Sequence, residues 1–295
     1  MKFLITGASG LLGSKLVAKA LASGHEVHSI VHEHSTQEAH VHILDITDQA
    51  AVEATLTNNS PEVVIHAASI TDLDLCERNP ELAYNVNAAA TGFLADACRK
   101  QESFLVYVST DYVFDGERGN YREHDRVNPV NVYGRSKLLG EEEVAQKAGG
   151  FCIARTSVVF GWGRKHRPNF ATWVYEKLRV GEKINVVTDQ YATPTLSSDL
   201  ARMLVEVAER RMNGTYHLSG STRINRYEFA VLLARRFSLD EKLLTPSKAE
   251  AVRWAARRPF DSSLNVAKAK EALKNKPSAL NEALDEFAAE AHAGT

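Results

Sequence analysis

The chain has 295 residues, 44% of them hydrophobic and 24% charged, with a formal net charge of −2. That suffices for one large core, or one dominant domain with a smaller partner, and the near-neutral charge excludes an electrostatic case for nucleic acid or an anionic membrane surface. Cys76, Cys98 and Cys152 are odd in number and lack a C-x-x-C spacing, which excludes a disulfide framework or structural zinc and fits a reducing compartment.

Lys2 to Thr6 reads as a short buried strand that runs straight into Gly7-Ala8-Ser9-Gly10-Leu11-Leu12-Gly13. The apolar start is too short for a signal peptide, and no run approaches membrane-spanning length, so a cytoplasmic location is expected. Leu12, Leu16, Val17, Ala20 and Leu21 recur at helical spacing up to Ser23-Gly24, and His25 to Val31 alternates like a second strand. A strand, glycine turn, helix and strand in this order is the context in which a glycine motif counts as dinucleotide-binding. The glycines permit a tight turn and close approach of a pyrophosphate, and N–H groups at the helix start face its charge.

After the second strand an acidic residue would hold ribose hydroxyls, whereas an arginine would favour a 2′-phosphate. Here stand Val31, His32, Glu33 and His34. His32 leans toward NADPH and Glu33 against it, so NADPH is expected and NADH stays open. His25, His28, His32, His34, His40 and His42 crowd this segment without Cys or Asp partners at ligand spacing. They read as a solvated loop, and no metal site is expected.

His40 to Leu44 reads as strand three, and Val63-Val64-Ile65-His66 as a fully apolar strand ending in the small residues Ala67-Ala68-Ser69. Leu75 to Ala90 reads as one long helix after Asp72. Phe104 to Val108 is another buried strand, delivering Ser109, Thr110 and Asp111 to its C-terminal edge. Tyr133 and Lys137 follow, four residues apart and therefore on one helical face. An ammonium beside a phenol favours phenolate, so the Tyr133 pKa is expected to fall toward the working pH. Beyond lie a strand from Phe151 to Val159, a basic loop from Arg164 to Pro168, and a helix from Asn169 to Val180. The turn-rich Asp189 to Thr195, a helix from near Ser197, a strand at Tyr216-His217-Leu218, a helix from Tyr227 to Phe237 and a last amphipathic helix complete the chain.

With this glycine spacing upstream and Tyr133 and Lys137 downstream, the chain resembles the extended short-chain dehydrogenase/reductase family. The eight-residue run from Ser109 to Gly116, together with Asn169-Phe170, Asp189-Gln190-Tyr191, Pro194-Thr195, Arg257-Arg258-Pro259 and Ser263-Leu264-Asn265, looks like the dTDP-4-dehydrorhamnose reductases. The resemblance implies an α/β fold: a doubly wound, Rossmann-type parallel sheet with a smaller C-terminal substrate domain. Residues 1–155 would hold the dinucleotide, with a contribution from about 184–220, and 156–183 with 221–295 the substrate.

The resemblance further implies Thr110, Tyr133 and Lys137 as catalytic residues, with Asn87 supporting Lys137 through water. Cofactor contacts would come from Gly7, Ser9, Gly10, Leu11, Leu12, Gly13, His32, Asp45, Ile46, Ala67, Ala68, Ser69, Tyr133 and Lys137. Asp111, Tyr112, Phe114, Trp162, Asn169, Gln190 and Arg258 would meet a nucleotide sugar. Where these reductases often carry tryptophan after Arg-Thr-Ser, this chain has Val158, and Trp162 is the expected replacement. A homodimer is open. So are two other classes of function: a non-catalytic NADP-binding regulatory subunit of the methionine adenosyltransferase type, and a sugar-nucleotide epimerase or dehydratase.

Overall fold

A computed structural model describes residues 1–32, 40–163 and 168–293. Glu33, His34 and the loop residues Arg164 to Arg167 lie outside the described residues. Seven parallel strands form the central sheet. In chain order they are β1 (Lys2–Thr6), β2 (Glu26–Val31), β3 (Val41–Ile43), β4 (Val63–His66), β5 (Phe104–Thr110), β6 (Phe151–Thr156) and, last, Gly214–His217. Their spatial order is β3-β2-β1-β4-β5-β6 and then Gly214–His217. Strand order reverses between β1 and β4, the switch point at which ligands of open α/β sheets bind beyond the carboxyl ends of the strands.

The central strands read as unbroken apolar runs because both faces are covered. One face packs helix α1 (Leu11–Ala22) and the Ser197–Glu209 helix over Phe3, Ile5, Val63, Ile65 and Val106. The other packs Leu4, Ile30, Val64 and Leu105 against helix α2 (Gln49–Asn59) and the Ala90–Lys100 helix. Of the 184–220 stretch, the Ser197–Glu209 helix and the Gly214–His217 strand join the main sheet. Ile184–Val187 instead pairs with Leu244–Ser247, in a second cluster built on Phe160, Val174, Phe229, Leu233 and Phe287.

The single helix expected from Leu75 to Ala90 is broken. Pro80 lacks an amide hydrogen and opens a new helix, Pro80–Tyr84, at its first position. Asn79 caps that helix, its side chain accepting from Leu82 N–H at 3.2 Å. A π-helical turn, Asn85–Ala89, follows before the Ala90–Lys100 helix. The break swings Asn87 in toward the end of β4. All three cysteines are free and buried.

Candidate active site

The glycine loop closes on β4. Gly7 has φ of 67°, and a Cβ there would lie 2.8 Å from Ala68 N; a Cβ on Gly13 would lie 2.0 Å from the Gly7 carbonyl oxygen. Backbone thus occupies the space that side chains would take. Gly10 caps α1 without a side chain, and no acidic residue sits in the first turn. The N–H groups at this helix start face the crevice uncapped, the arrangement that receives a pyrophosphate. Ser9, Leu11 and Leu12 line the turn, with Leu12 packed onto the core. Ala67, Ala68 and Ser69 are half-buried on the opposite wall.

Thr6 and His66 face each other across β1 and β4, and the ring of His66 stacks on Tyr107. Thr6 Oγ1 accepts from Ala68 N–H at 3.2 Å and donates to His66 Nδ1 at 2.7 Å. Thr91 Oγ1 donates to the Asn87 carbonyl at 2.9 Å, so it accepts from His66 Nε2–H at 3.1 Å. Burial pushes His66 down to about 3, aided by the Lys137 charge, so this imidazole is a neutral strut under the cofactor wall. Asn87 is likewise spent on structure. Its Oδ1 accepts from Ser69 Oγ and Ile70 N–H, and its Nδ2 donates to Ile70 O and Ser136 Oγ.

Thr110, Tyr133 and Lys137 meet at the carboxyl end of β5. Asn131 caps the Val132–Lys147 helix, accepting from Gly134 N–H at 2.8 Å, and so fixes where Tyr133 enters. The Thr110 hydroxyl donates to Asp111 Oδ1 at 3.1 Å and accepts from Tyr112 N–H at 3.2 Å. Tyr112 approaches the Tyr133 ring edge-on at 5.9 Å. The expected Tyr133 shift has the wrong sign. Burial pushes the phenol well above its ordinary range, and Thr110 pulls only weakly back. Lys137 makes other contacts: its Nζ donates to the Val108 carbonyl at 2.8 Å and lies 4.1 Å from the centre of the Tyr107 ring.

Burial pushes Lys137 down to about 7, with Glu141 pulling it up. From about pH 7 to its unfolded value near 10.5, the unfolded chain binds the proton that the fold has released. The cost to the fold is therefore full below about pH 7 and shrinks as pH rises. Lys137→Met should stabilise the cofactor-free protein by on the order of 1–4 kcal/mol near neutral pH, with a smaller gain at about pH 9. Chemical denaturation across that range checks this; a gain that grows with pH would contradict it.

Several residues expected to meet substrate are structural. Phe114 is fully buried, stacked on Tyr121 at 4.3 Å with the Arg155 guanidinium 5.2 Å from its ring centre, so it has no surface for a sugar. Trp162 stacks on Phe287 at 4.4 Å and donates its ring N–H to the Phe287 carbonyl, joining the C-terminal core. Asp111 is 3% exposed. Its carboxylate accepts from Thr110, Ser157 and Ser262 hydroxyls, and burial raises its pKa. It is a hub that ties β5 to two loops of the other half.

Asn169 caps the Phe170–Arg179 helix and donates to Gly161 O at 2.7 Å. Arg258 is held by Asp74 at 3.0 Å and lies over Trp254. Gln190, by contrast, keeps a buried amide nitrogen without a partner among the described residues. His32 and Asp45 are exposed and 3.7 Å apart at the ends of β2 and β3, with Ile46 packed beneath on the core.

Two features escaped sequence reasoning. Arg155 makes a buried, bidentate pair with Glu141, at 2.9 and 2.6 Å, and Ser109 donates to the same carboxylate at 2.6 Å. The residue before Thr110 is thereby locked. Three of the six histidines of that segment, His28, His40 and His42, converge with Glu26 on one face of β2 and β3.

A 3-2-1-4-5-6 parallel sheet, an uncapped glycine crevice and a Thr-Tyr-Lys set at the end of β5 define an extended short-chain dehydrogenase/reductase. The chain belongs to the family described as RmlD substrate binding domain, which matches residues 1–293. It is 36% identical over 90% of its length to a probable low-salt glycan biosynthesis reductase of Haloferax volcanii, 90% of which is covered. It is 35% identical to methionine adenosyltransferase 2 subunit beta of Xenopus laevis, over 90% of this chain and 80% of that protein. Among solved structures, the dTDP-4-dehydrorhamnose reductase of Bacillus anthracis in complex with NADP superposes with a TM-score of 0.89 at 30% identity, covering 98% of this chain and 99% of the other.

Proposed function

We propose that this chain uses NADPH, with NADH as an alternative, to reduce the C4 ketone of a nucleotide-activated deoxysugar. The substrate it fits best is dTDP-4-dehydrorhamnose, with dTDP-L-rhamnose as product. The observation that carries this is Tyr133 and Lys137, one turn apart on the buried face of the Val132–Lys147 helix, with the Lys137 ammonium on the Val108 carbonyl of the strand that ends in Thr110. Oxidoreductase chemistry dependent on NAD(P)H is common ground with the reductases of the family.

The backbone of Gly7 to Gly13, with Ala67 to Ser69 opposite, suits the dinucleotide because Gly7 and Gly13 let the turn pack tightly on β4 and on itself, which leaves the N–H groups at the helix start facing the crevice. Bound there, the reduced nicotinamide supplies the hydride. The residues supply the rest. Burial keeps the Tyr133 phenol protonated, which suits an acid that must give a proton to the alkoxide formed at C4. Thr110 donates to the same oxygen as charge develops there. Lys137 holds the ribose and balances the phenolate that Tyr133 becomes. Residues 1–155, with the helix and strand that return to the sheet, hold the cofactor; the C-terminal cluster offers the sugar the Gln190 amide, with Tyr112 and Arg258 at the seam.

NADPH oxidation measured over a panel of nucleotide 4-keto sugars tests the reading: turnover with the dTDP-linked ketone supports it, and none with any member overturns it. A second reading is favoured by the 35% identity to the methionine adenosyltransferase subunit, a chain that would bind NADP and a partner enzyme without turnover. Under that reading the chain forms a stoichiometric complex with a catalytic subunit and oxidises no NADPH.

Cofactor choice should be shallow. His32 meets Asp45 in place of an arginine fork, so discrimination between NADPH and NADH should stay under about tenfold, ~1.4 kcal/mol. His32→Ala should lower that ratio, and dissociation constants for both reduced cofactors read it. An unchanged ratio would assign the choice to other residues.

A further inference from the structure

The edge of the sheet farthest from the catalytic residues carries a second cluster. Side chains alternate along β2, so Glu26, His28 and Ile30 share one face. The register pairs Ile30 with His42, which puts His42 and, two residues earlier, His40 on that same face. The rest of this face is the apolar layer of Leu4, Ile30, Val52, Leu56 and Val64. His28 is 6% exposed, while Glu26 and His40 reach solvent.

The donors converge. His28 Nε2 lies 3.0 Å from Glu26 Oε1, and His28 Nδ1 lies 3.1 Å from His42 Nε2. The His28 and His40 rings stack at 4.6 Å, and ligand atoms of Glu26, His28 and His40 all fall within 4.8 Å of one another. Lys2, on β1, is the one cation the described residues bring to this carboxylate, at 3.6 Å; its ammonium also donates to the Asn59 carbonyl at 2.9 Å and keeps that partner if Glu26 turns away.

We propose that Glu26, His28 and His40 form a binding site for a divalent metal ion of the zinc class, with His42 accepting the remaining ring N–H of His28. Two imidazoles and a carboxylate are borderline donors suited to zinc. Bonds of about 2.0–2.1 Å require donors roughly 3.3 Å apart, a separation that rotation of the exposed Glu26 and His40 side chains supplies. With the metal on His28 Nε2, the ring N–H left at Nδ1 would face His42 Nε2, 3.1 Å away. A ligating histidine held by such an acceptor is the usual support of a metal site. The ion would pin β3, only three residues long, to β2 at the end of the strand that leads to Asp45.

The test uses the full chain without an affinity tag, stripped with chelator and dialysed against Zn²⁺ alone. The expected result is one zinc per chain at micromolar free metal, with an upward shift in thermal midpoint. Glu26→Gln and His40→Ala, both at exposed positions, should each weaken binding more than tenfold, and His42→Ala by about 10–100-fold. His124→Ala, an exposed histidine elsewhere, should leave it unchanged. Binding only at millimolar zinc, or undiminished binding in the Glu26→Gln/His40→Ala double variant, would overturn the proposal.

Discussion

Tyr133→Phe should abolish reduction while leaving cofactor affinity nearly intact. The change removes one hydroxyl and keeps a ring packed among Cys76, Ala83 and Val132 and edge-on to Tyr112, so the fold has no reason to move. What is lost is the proton donor. General acid catalysis is worth about 10²–10⁴-fold, and the loss in kcat should be of that order. Because the hydroxyl acts on the alkoxide, KM should change far less than kcat. Cofactor titration followed by single-turnover kinetics separates the two. Near-wild-type turnover would remove Tyr133 from the chemistry.

The largest loss of stability should come from Arg155→Met. Arg155 and Glu141 are both buried and joined by two hydrogen bonds, and the carboxylate's other partner is a single serine hydroxyl, Ser109. Taking away the guanidinium strands a carboxylate where water cannot reach it, at a cost of about 3–5 kcal/mol. It also removes the cation over the Phe114 ring. Adding Glu141→Leu should recover most of the loss, since an apolar pair of similar volume is often neutral or better. Denaturant midpoints of the single and double variants decide it. A single variant within about 1 kcal/mol of wild type would show that the pair contributes little.

How much of this was legible depends on whether the signal is local. The glycine loop is a run of seven residues whose demand for Gly7 and Gly13 follows from backbone approach, and Tyr133 and Lys137 share a face by helical period alone. Both lie where the fold needs them. The break after Arg78 has a local signal as well, Asn79 followed by Pro80. Other features required tertiary register. Phe114 and Trp162 look the same in sequence whether they meet a sugar or each packs into its own core; only the partners Tyr121 and Phe287 decide. Arg155 finds Glu141 from a neighbouring strand. Lys137 was expected to face Tyr133, but spacing fixes the face of a helix and leaves the end of a four-carbon side chain free to choose Val108. The histidines line up only once Ile30 is set against His42.

The central claim is hydride delivery to a sugar ketone with Tyr133 supplying the proton. It is tested most directly by incubating the wild-type chain with NADPH deuterated at nicotinamide C4 and dTDP-4-dehydrorhamnose, then weighing the product. With each hydrogen at that carbon labelled in turn, one label should give a sugar nucleotide carrying a single deuterium at C4, and Tyr133→Phe should give almost none. Unlabelled product from both cofactors, or bound NADPH that persists unoxidised beside intact ketone, would contradict it.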